Sequence, residues 1–289
     1  MKRLILLLFL LVVCSCSSKT DSKPVKVMTY NIHYWSPDYE GKGRPPQSFR
    51  DARDKAGGIV KLFAQEIKRH NPDIISLQEA RDSKKVAALA KELGMNYAFF
   101  PGGWKNKGWP EGIPGAILTR FKIVESQDFP VQGFKKRPDN FFSRHLGRVL
   151  VDTGTEKIAV ISAHVIPPYK GVFDIRMKEA ATMVEIAKKD LAKGYSVIAM
   201  GDFNMRPDSK EYGVLKKSVL KDTFVLKGAG NKFTCPGTKP NETIDYVFAA
   251  GPLLKRLKSC KVLHEGIFVM GHNQKYALSD HLPVMAVFE

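Results

Sequence analysis

Short apolar runs that each close on a polar residue recur along this chain, and that pattern restricts the fold more than any other feature. Asn31 closes Val27-Met28-Thr29-Tyr30, and Glu79 closes Ile74-Ile75-Ser76-Leu77-Gln78. His164 closes Ala159–Ala163, and Asp202 and Asn204 follow Val197-Ile198-Ala199-Met200. Asp245 lies inside Thr243-Ile244-Asp245-Tyr246-Val247-Phe248, and Asp280 and His281 precede Leu282-Pro283-Val284. Runs this short and this apolar read as strands covered on both faces by other layers. Strands are predicted over 25–33, 73–79, 116–119, 148–152, 157–164, 195–202, 243–249 and 283–288, with less regular patterning at 257–264 and 267–270. Val27, Thr29, Asn31 and His33 should share one face of the first strand. Helices are predicted over 52–70, 83–93, 174–193 and 208–217. Ile59, Val60, Phe63 and Ile67 keep a 3.6-residue period in the first of these, and Asn71-Pro72 ends it. So many short strands exceed what one doubly wound sheet needs, so two packed sheets with helices outside fit better. No linker interrupts the body, so residues 25–289 are read as one domain.

The N-terminus reads as an export leader. Lys2 and Arg3 precede the apolar run Leu4–Val13, which is too short to cross a bilayer. Val13-Cys14-Ser15-Cys16 resembles a bacterial lipobox, with Cys16 favoured over Cys14 as the acylated residue. Residues 1–16 are then the signal peptide and 17–24 a polar tether. The chain is expected to be exported and lipid-anchored, on the periplasmic or cell-surface side of a bacterial membrane. Cys235 and Cys260 lack metal-type spacing. An exported protein permits a disulfide between them, but buried free thiols are expected.

Composition adds a sign. Lys+Arg 46 against Asp+Glu 29 gives a net charge of +17, which favours anionic partners. The lysines are scattered rather than gathered into a strip, so a basic surface and a nucleic-acid track both remain open. Sequence patterns for a nucleophile-elbow hydrolase, a P-loop or an HExxH zinc site are absent.

A catalytic site wants its polar residues on rigid mounts, and apolar strands are such mounts. The ordered set Met28-Thr29-Tyr30-Asn31-Ile32-His33, Ser76-Leu77-Gln78-Glu79, Ser162-Ala163-His164, Gly201-Asp202-Phe203-Asn204, Thr243–Phe248 and Ser279-Asp280-His281-Leu282-Pro283-Val284 resembles the endonuclease/exonuclease/phosphatase superfamily. The motifs fall in family order over nearly the whole body. Phe233-Thr234-Cys235-Pro236 ahead of Ile244-Asp245-Tyr246 is similar to its compact bacterial metal-dependent hydrolases. One departure is visible: Pro114-Gly115 stands before Ala116-Ile117-Leu118-Thr119-Arg120, where relatives often carry Gly-Asn.

The resemblance implies a four-layer α/β/β/α sandwich with two mainly antiparallel sheets. It implies a divalent-metal phosphoesterase, using Mg²⁺ or Mn²⁺, that attacks a phosphodiester or phosphomonoester with activated water. Glu79 and Asn31 would hold the metal, with Asp280 directly or through water. Asp202 would orient or deprotonate the water, helped by Asn204. His281 would face the phosphate with Asp245 fixing its tautomer, and His164 would donate to a nonbridging oxygen or the leaving group. Arg148 would bind phosphate, with Arg144 and His145 as neighbouring alternatives. The expected partners are an anionic phosphoester and a membrane surface reached through the N-terminal lipid, with the protein a monomer. Nucleic acid, a sphingomyelin-type lipid and a small phosphoester compete as substrate. Trp104, Trp109, Phe134, Phe141 and Phe142 favour the lipid, although they could equally pack loops. A binding lipoprotein on a decayed enzyme fold is the non-enzyme alternative.

Overall fold

The computed structural model describes residues 23–39, 43–103, 105, 107–108, 110–129, 144–265 and 276–289. The leader with Cys14 and Cys16, most of the tether, Trp104, Trp109, Phe134, Phe141, Phe142 and the strand predicted at 267–270 lie outside the described residues.

From the N-terminus, β1 (Val25–Asn31) leads through a 3-10 turn at His33–Trp35 and β2 (Asp38–Tyr39) to α1 (Gln47–Ala56) and α2 (Ile59–His70). Then come β3 (Ile74–Gln78), α3 (Ser83–Leu93), β4 (Asn96–Phe100), β5 (Gly115–Thr119), β6 (Lys122–Asp128), β7 (His145–Asp152), β8 (Lys157–His164) and α4 (Phe173–Ala192). The last third holds β9 (Ser196–Asp202), α5 (Lys210–Lys216), β10 (Lys221–Asp222), α6 (Thr223–Lys227), β11 (Asp245–Ala250), β12 (Leu257–Val262), β13 (Tyr276–Ala277) and β14 (Val284–Phe288). The helix predicted over 52–70 is two helices. Gly57 and Gly58 both take positive φ, at 80° and 119°, a conformation that ends one helix and caps the next.

Two six-stranded sheets result, in the orders β12-β14-β1-β3-β5-β4 and β10-β11-β9-β8-β7-β6. Each carries one parallel pair at its centre, β1/β3 and β8/β9, and antiparallel pairs around it. The apolar core between the sheets joins Val27, Ile74 and Ile117 to Val149, Val160 and Met200, while Met28 and Ile75 on the outer face of the first sheet continue it to Phe63 and Leu89 of α2 and α3. A second core seats Met183 and Ala187 of α4 and Leu215 of α5 on Ile161, Ala199 and Phe248. The layers are therefore helix, sheet, sheet, helix, as the sequence pattern predicts. The sequence reading omits β4 and β6. β6 is an exposed edge strand with Lys122, Glu125 and Asp128 along it, so it has no apolar alternation to recognise.

One polar chain crosses the inter-sheet core. Thr29 donates to Gln78 Oε1 (3.2 Å), Gln78 Nε2 to Ser76 Oγ (2.7 Å), and Ser76 Oγ to Ser162 Oγ (2.7 Å), which meets His145 Nε2 at 3.1 Å. All five residues are buried. Such a chain is favourable only when its members find partners, so it pins β1 and β3 against β7 and β8 in one register.

Candidate active site

Strand register performs much of the assembly. His164 lies opposite Asp202 across β8/β9, and Asp202 opposite Asp245 across β9/β11. In the other sheet Asn31 lies opposite Gln78, with Glu79 the next residue. The glycine of Gly201-Asp202 is forced: a Cβ there would meet the Ala163 carbonyl oxygen at 1.9 Å. Glu79 and Asn204 leave their strands with φ of 53° and 49°. Left-handed backbone is uncommon outside glycine and persists where surrounding contacts over-determine it.

Asp202 is the hub. It accepts from Asn31 Nδ2 (3.0 Å) and from the Asn204 amide (2.9 Å). His164 Nε2 stands 3.2 Å and His281 Nε2 3.7 Å from its Oδ2. On its other side His281 Nδ1 meets Asp245 Oδ2 at 2.7 Å. Ser279 Oγ donates to the Asn31 carbonyl (2.7 Å) and accepts from the His281 amide (3.2 Å), tying the last motif to the first. Glu79 Oε1 is 3.3 Å from Arg144 Nη1 and 4.0 Å from His164 Nε2. Asp280 sits nearer solvent, with Oδ2 3.7 Å from His33 Nε2. Thus Asn31, Glu79, His164, Asp202, Asn204, Asp245, Asp280 and His281 form one cluster.

The electrostatics divide the groups. Asp202 is buried, but the two facing histidines and Arg144 hold its carboxyl well below the usual range. It is anionic at neutral pH and better suited to orienting a water than to removing its proton. Burial and the nearby Asp202 charge raise Asp245 to about 6, against the pull of His281. His281 loses charge preference to burial, yet Asp245 and Asp202 together hold it well above an ordinary histidine, so it is an imidazolium. His164 goes the other way, to about 4, through burial and Arg144. A neutral His164 can use Nε2 toward Asp202 as a donor or toward the Arg144 guanidinium as an acceptor, not both. Burial raises Glu79; Arg144 opposes this and Asp280 adds to it.

Arg148 requires correction as the phosphate ligand. Its side chain points to the helix layer, where Nε and Nη2 reach the Asp190 carboxylate of α4 at 2.7 and 2.6 Å and Nη1 reaches Glu125 at 2.9 Å. Strand alternation explains this: Arg148 shares a face with Leu146 and Leu150, which pack toward α4, and so points away from the inter-sheet face. His145 is wholly buried in the inter-sheet polar chain. Arg144, just before β7, is the cation that enters the cluster.

Sequence reasoning passed over other contributors. Tyr34 hydrogen-bonds Glu79. The partly buried Cys235 thiol lies against His281; it and the buried Cys260 are both free. Most notable is Arg176 of α4, which is 3% exposed. Its Nη2 donates to the Asn204 carbonyl (2.8 Å), its Nε to Glu211 Oε1 (2.5 Å), and its Nη1 to the Ile166 carbonyl. Glu179, one turn on, accepts from the Ile166 amide at 3.0 Å. Together they clamp the segments after His164 and Asp202. The signal was present in the sequence: Arg176 falls on the apolar helical stripe Val172, Ala180, Met183, Ala187.

The cluster offers two places for a cation. Ligand atoms of Asp202, Asp245 and His281 lie within 4.8 Å of one another, but the 2.7 Å contact of His281 with Asp245 is a hydrogen bond. Glu79 and Asp280, with the Asn31 amide oxygen that also accepts from the His33 amide (3.0 Å), would make the harder, all-oxygen set. A desolvated Glu79 near Asp280 and Asp202 sets three carboxylates against the two cations Arg144 and His281, so these residues fit a divalent cation.

The fold matches solved structures over most of its length. Truncated Caenorhabditis elegans TDP2 superposes with a TM-score of 0.63 at 20% identity, covering 92% of this chain and 97% of that one. A Bacteroides thetaiotaomicron mannosyl-6-phosphatase does so with a TM-score of 0.65 at 20% identity, covering 91% and 98%. The chain belongs to the Endonuclease/Exonuclease/phosphatase family, whose profile matches residues 60–281. It is also similar to the inositol phosphosphingolipids phospholipase C of Saccharomyces cerevisiae, 25% identical over 268 residues that cover 84% of this chain and 52% of that protein. The chain spans about half the length of the curated relatives it matches.

Proposed function

We propose that this chain is a divalent-metal-dependent phosphoesterase that cleaves a phosphodiester or phosphomonoester by attack of water. The observation that carries the reading is the series Asp245–His281–Asp202–His164, hydrogen-bonded between Asp245 and His281 and joined through the Asp202 carboxylate, with Glu79, Asn31 and Asp280 beside it. Glu79, Asn31 and Asp280 would hold Mg²⁺ or Mn²⁺; when bound, the cation polarises the phosphoryl oxygens and offsets their charge. Asp202, kept anionic, orients the attacking water, and Asn204 fixes its other side. His281, kept cationic by Asp245, donates to a phosphoryl oxygen as negative charge gathers there. His164 and Arg144 provide donors on the opposite flank. The name of the yeast relative favours a phospholipase C-like ester as the second reading. We also retain as proposals the single catalytic domain over 25–289, the leader over 1–16, acylation at Cys16 and attachment to a membrane surface.

The test is hydrolysis of 4-nitrophenyl phosphate and bis(4-nitrophenyl) phosphate, with Mg²⁺, Mn²⁺ or EDTA. Turnover should stop in EDTA. Glu79→Gln should raise the metal concentration giving half-maximal rate, and calorimetry should show weaker Mg²⁺ binding. Metal-independent turnover, or unaltered metal binding in Glu79→Gln, would remove the proposed ligand set.

A further inference from the structure

A groove borders the catalytic cluster at Asn204. Its inner part, about 390 Å³, has Asn204 and Ser209 in its walls. Its outer part, about 520 Å³, has Phe233 and Asn241. Arg206, Asp208 and Glu242 line both parts, so the two adjoin along these side chains.

The charge of this groove differs from that of the chain. Arg206 and Lys232 are matched by Asp208 and Glu242, whereas the whole sequence carries +17. A nucleic-acid strand or a second phosphate would meet carboxylates there, without the unopposed cations that phosphate binding uses. What the groove offers is donors beside acceptors. Arg206 Nη2 pairs with Glu242 Oε1 at the groove's open side, where Arg206 is exposed and Glu242 half-buried. A guanidinium has five N–H donors and a carboxylate about four lone-pair sites, so each keeps capacity after pairing. Adjacent hydroxyls on one ring, each both donor and acceptor, match that arrangement. Phe233 and Pro207 add apolar wall.

The groove is also pre-formed. The Thr234 amide donates to the Glu242 carbonyl (2.7 Å), and the Glu242 amide to the Cys235 carbonyl (2.8 Å). Thr243 Oγ1 donates to the Lys232 carbonyl at 3.0 Å. Two residues beyond Thr243 stands Asp245, and Cys235 lies against His281, so the groove wall and the acid–histidine pair share one braced hairpin. A wall held this way loses little freedom on binding.

We propose that this groove binds the non-reacting part of the substrate, and that this part is an uncharged polyhydroxylated ring, a sugar or cyclitol, joined to the scissile phosphate. The inference rests on the phosphoesterase reading and names its substrate class. The ring can arrive as a soluble ring phosphate or as the headgroup of a lipid.

The experiment compares kcat/KM on hexose 6-phosphates, myo-inositol 1-phosphate and phosphatidylinositol vesicles with that on the two nitrophenyl esters and on oligonucleotides. The parent should favour one ring-bearing arm, and that arm distinguishes the soluble ester from the headgroup. Arg206→Ala and Glu242→Gln should each lower that rate by roughly tenfold to a hundredfold, as loss of a charged hydrogen bond does. Both should hydrolyse the nitrophenyl esters within about twofold of the parent, because neither residue touches the reacting phosphate. Preference for oligonucleotides, or equal losses on ring-bearing and nitrophenyl esters, overturns the proposal. Calorimetry with myo-inositol and methyl hexosides in EDTA separates the two readings. If no nitrophenyl ester is cleaved, the phosphoesterase reading fails, while parent-only polyol binding still upholds the groove. If the esters are cleaved but no polyol binds or is preferred, the groove assignment fails alone.

Discussion

Replacing Arg176 with Met keeps most of the stem volume and deletes the guanidinium. Three acceptors then lose their donor: Glu211 Oε1, the Ile166 carbonyl and the Asn204 carbonyl. Glu211 is 6% exposed, so its charge is left largely unpaired away from water. Breaking a buried ion pair by removing one partner costs about 3–5 kcal/mol. At ~2–4 °C per kcal/mol for a chain approaching this size, Tm should fall by roughly 6–20 °C. Activity should fall separately. The Asn204 carbonyl is released, and a misplacement of ~1 Å at a reacting centre costs on the order of a hundredfold. The two effects are resolved by Arg176→Met combined with Glu211→Leu, which removes both charges. The double variant should regain much of the lost Tm, since apolar replacement of a buried pair is often neutral. It should not regain kcat, because the Asn204 carbonyl still lacks its donor. KM should move less than kcat in both variants. The assays are differential scanning calorimetry and steady-state hydrolysis of bis(4-nitrophenyl) phosphate. A kcat that recovers together with Tm would refute the positioning role and leave Arg176 a stabilising residue only.

Asp202→Asn and His281→Ala should each lower kcat by about 10²–10⁴-fold, and the double variant should lose far less than the product of the two. Circular dichroism should show the fold retained, and near-parental kcat in either folded variant would contradict the mechanism. Cys16→Ser should shift the protein from the membrane pellet to the soluble fraction. Release only by Cys14→Ser would move the acylation site, and release by neither would end the lipid-anchor proposal.

Much of this protein is legible without coordinates because its chemistry sits on its periodicity. An apolar run that stops at Asn31, Gln78-Glu79, His164 or Asp202 announces both a buried strand and the residue at its tip. Those local facts imply two sheets and nominate nearly every member of the cluster. Edge strand β6 escaped because an exposed, charged strand has no apolar face to repeat. The break at Gly57-Gly58 escaped because the apolar period continues into α2 across it.

What the tertiary structure decided was direction and partnership. The sequence favours Arg148 as the phosphate ligand and leaves Arg144, four residues earlier in a basic stretch, as an alternative. Strand alternation sends Arg148 to Asp190 in the helix layer, while Arg144, before the strand begins, turns toward Glu79 and His164. The opposite protonation of His164 and His281 also depends on folding. Both are buried and both face Asp202; what differs is Arg144 against His164 and Asp245 against His281. Residue type and periodicity are local properties carried along the chain, whereas a side chain's direction and its charged neighbours exist only once distant strands are paired.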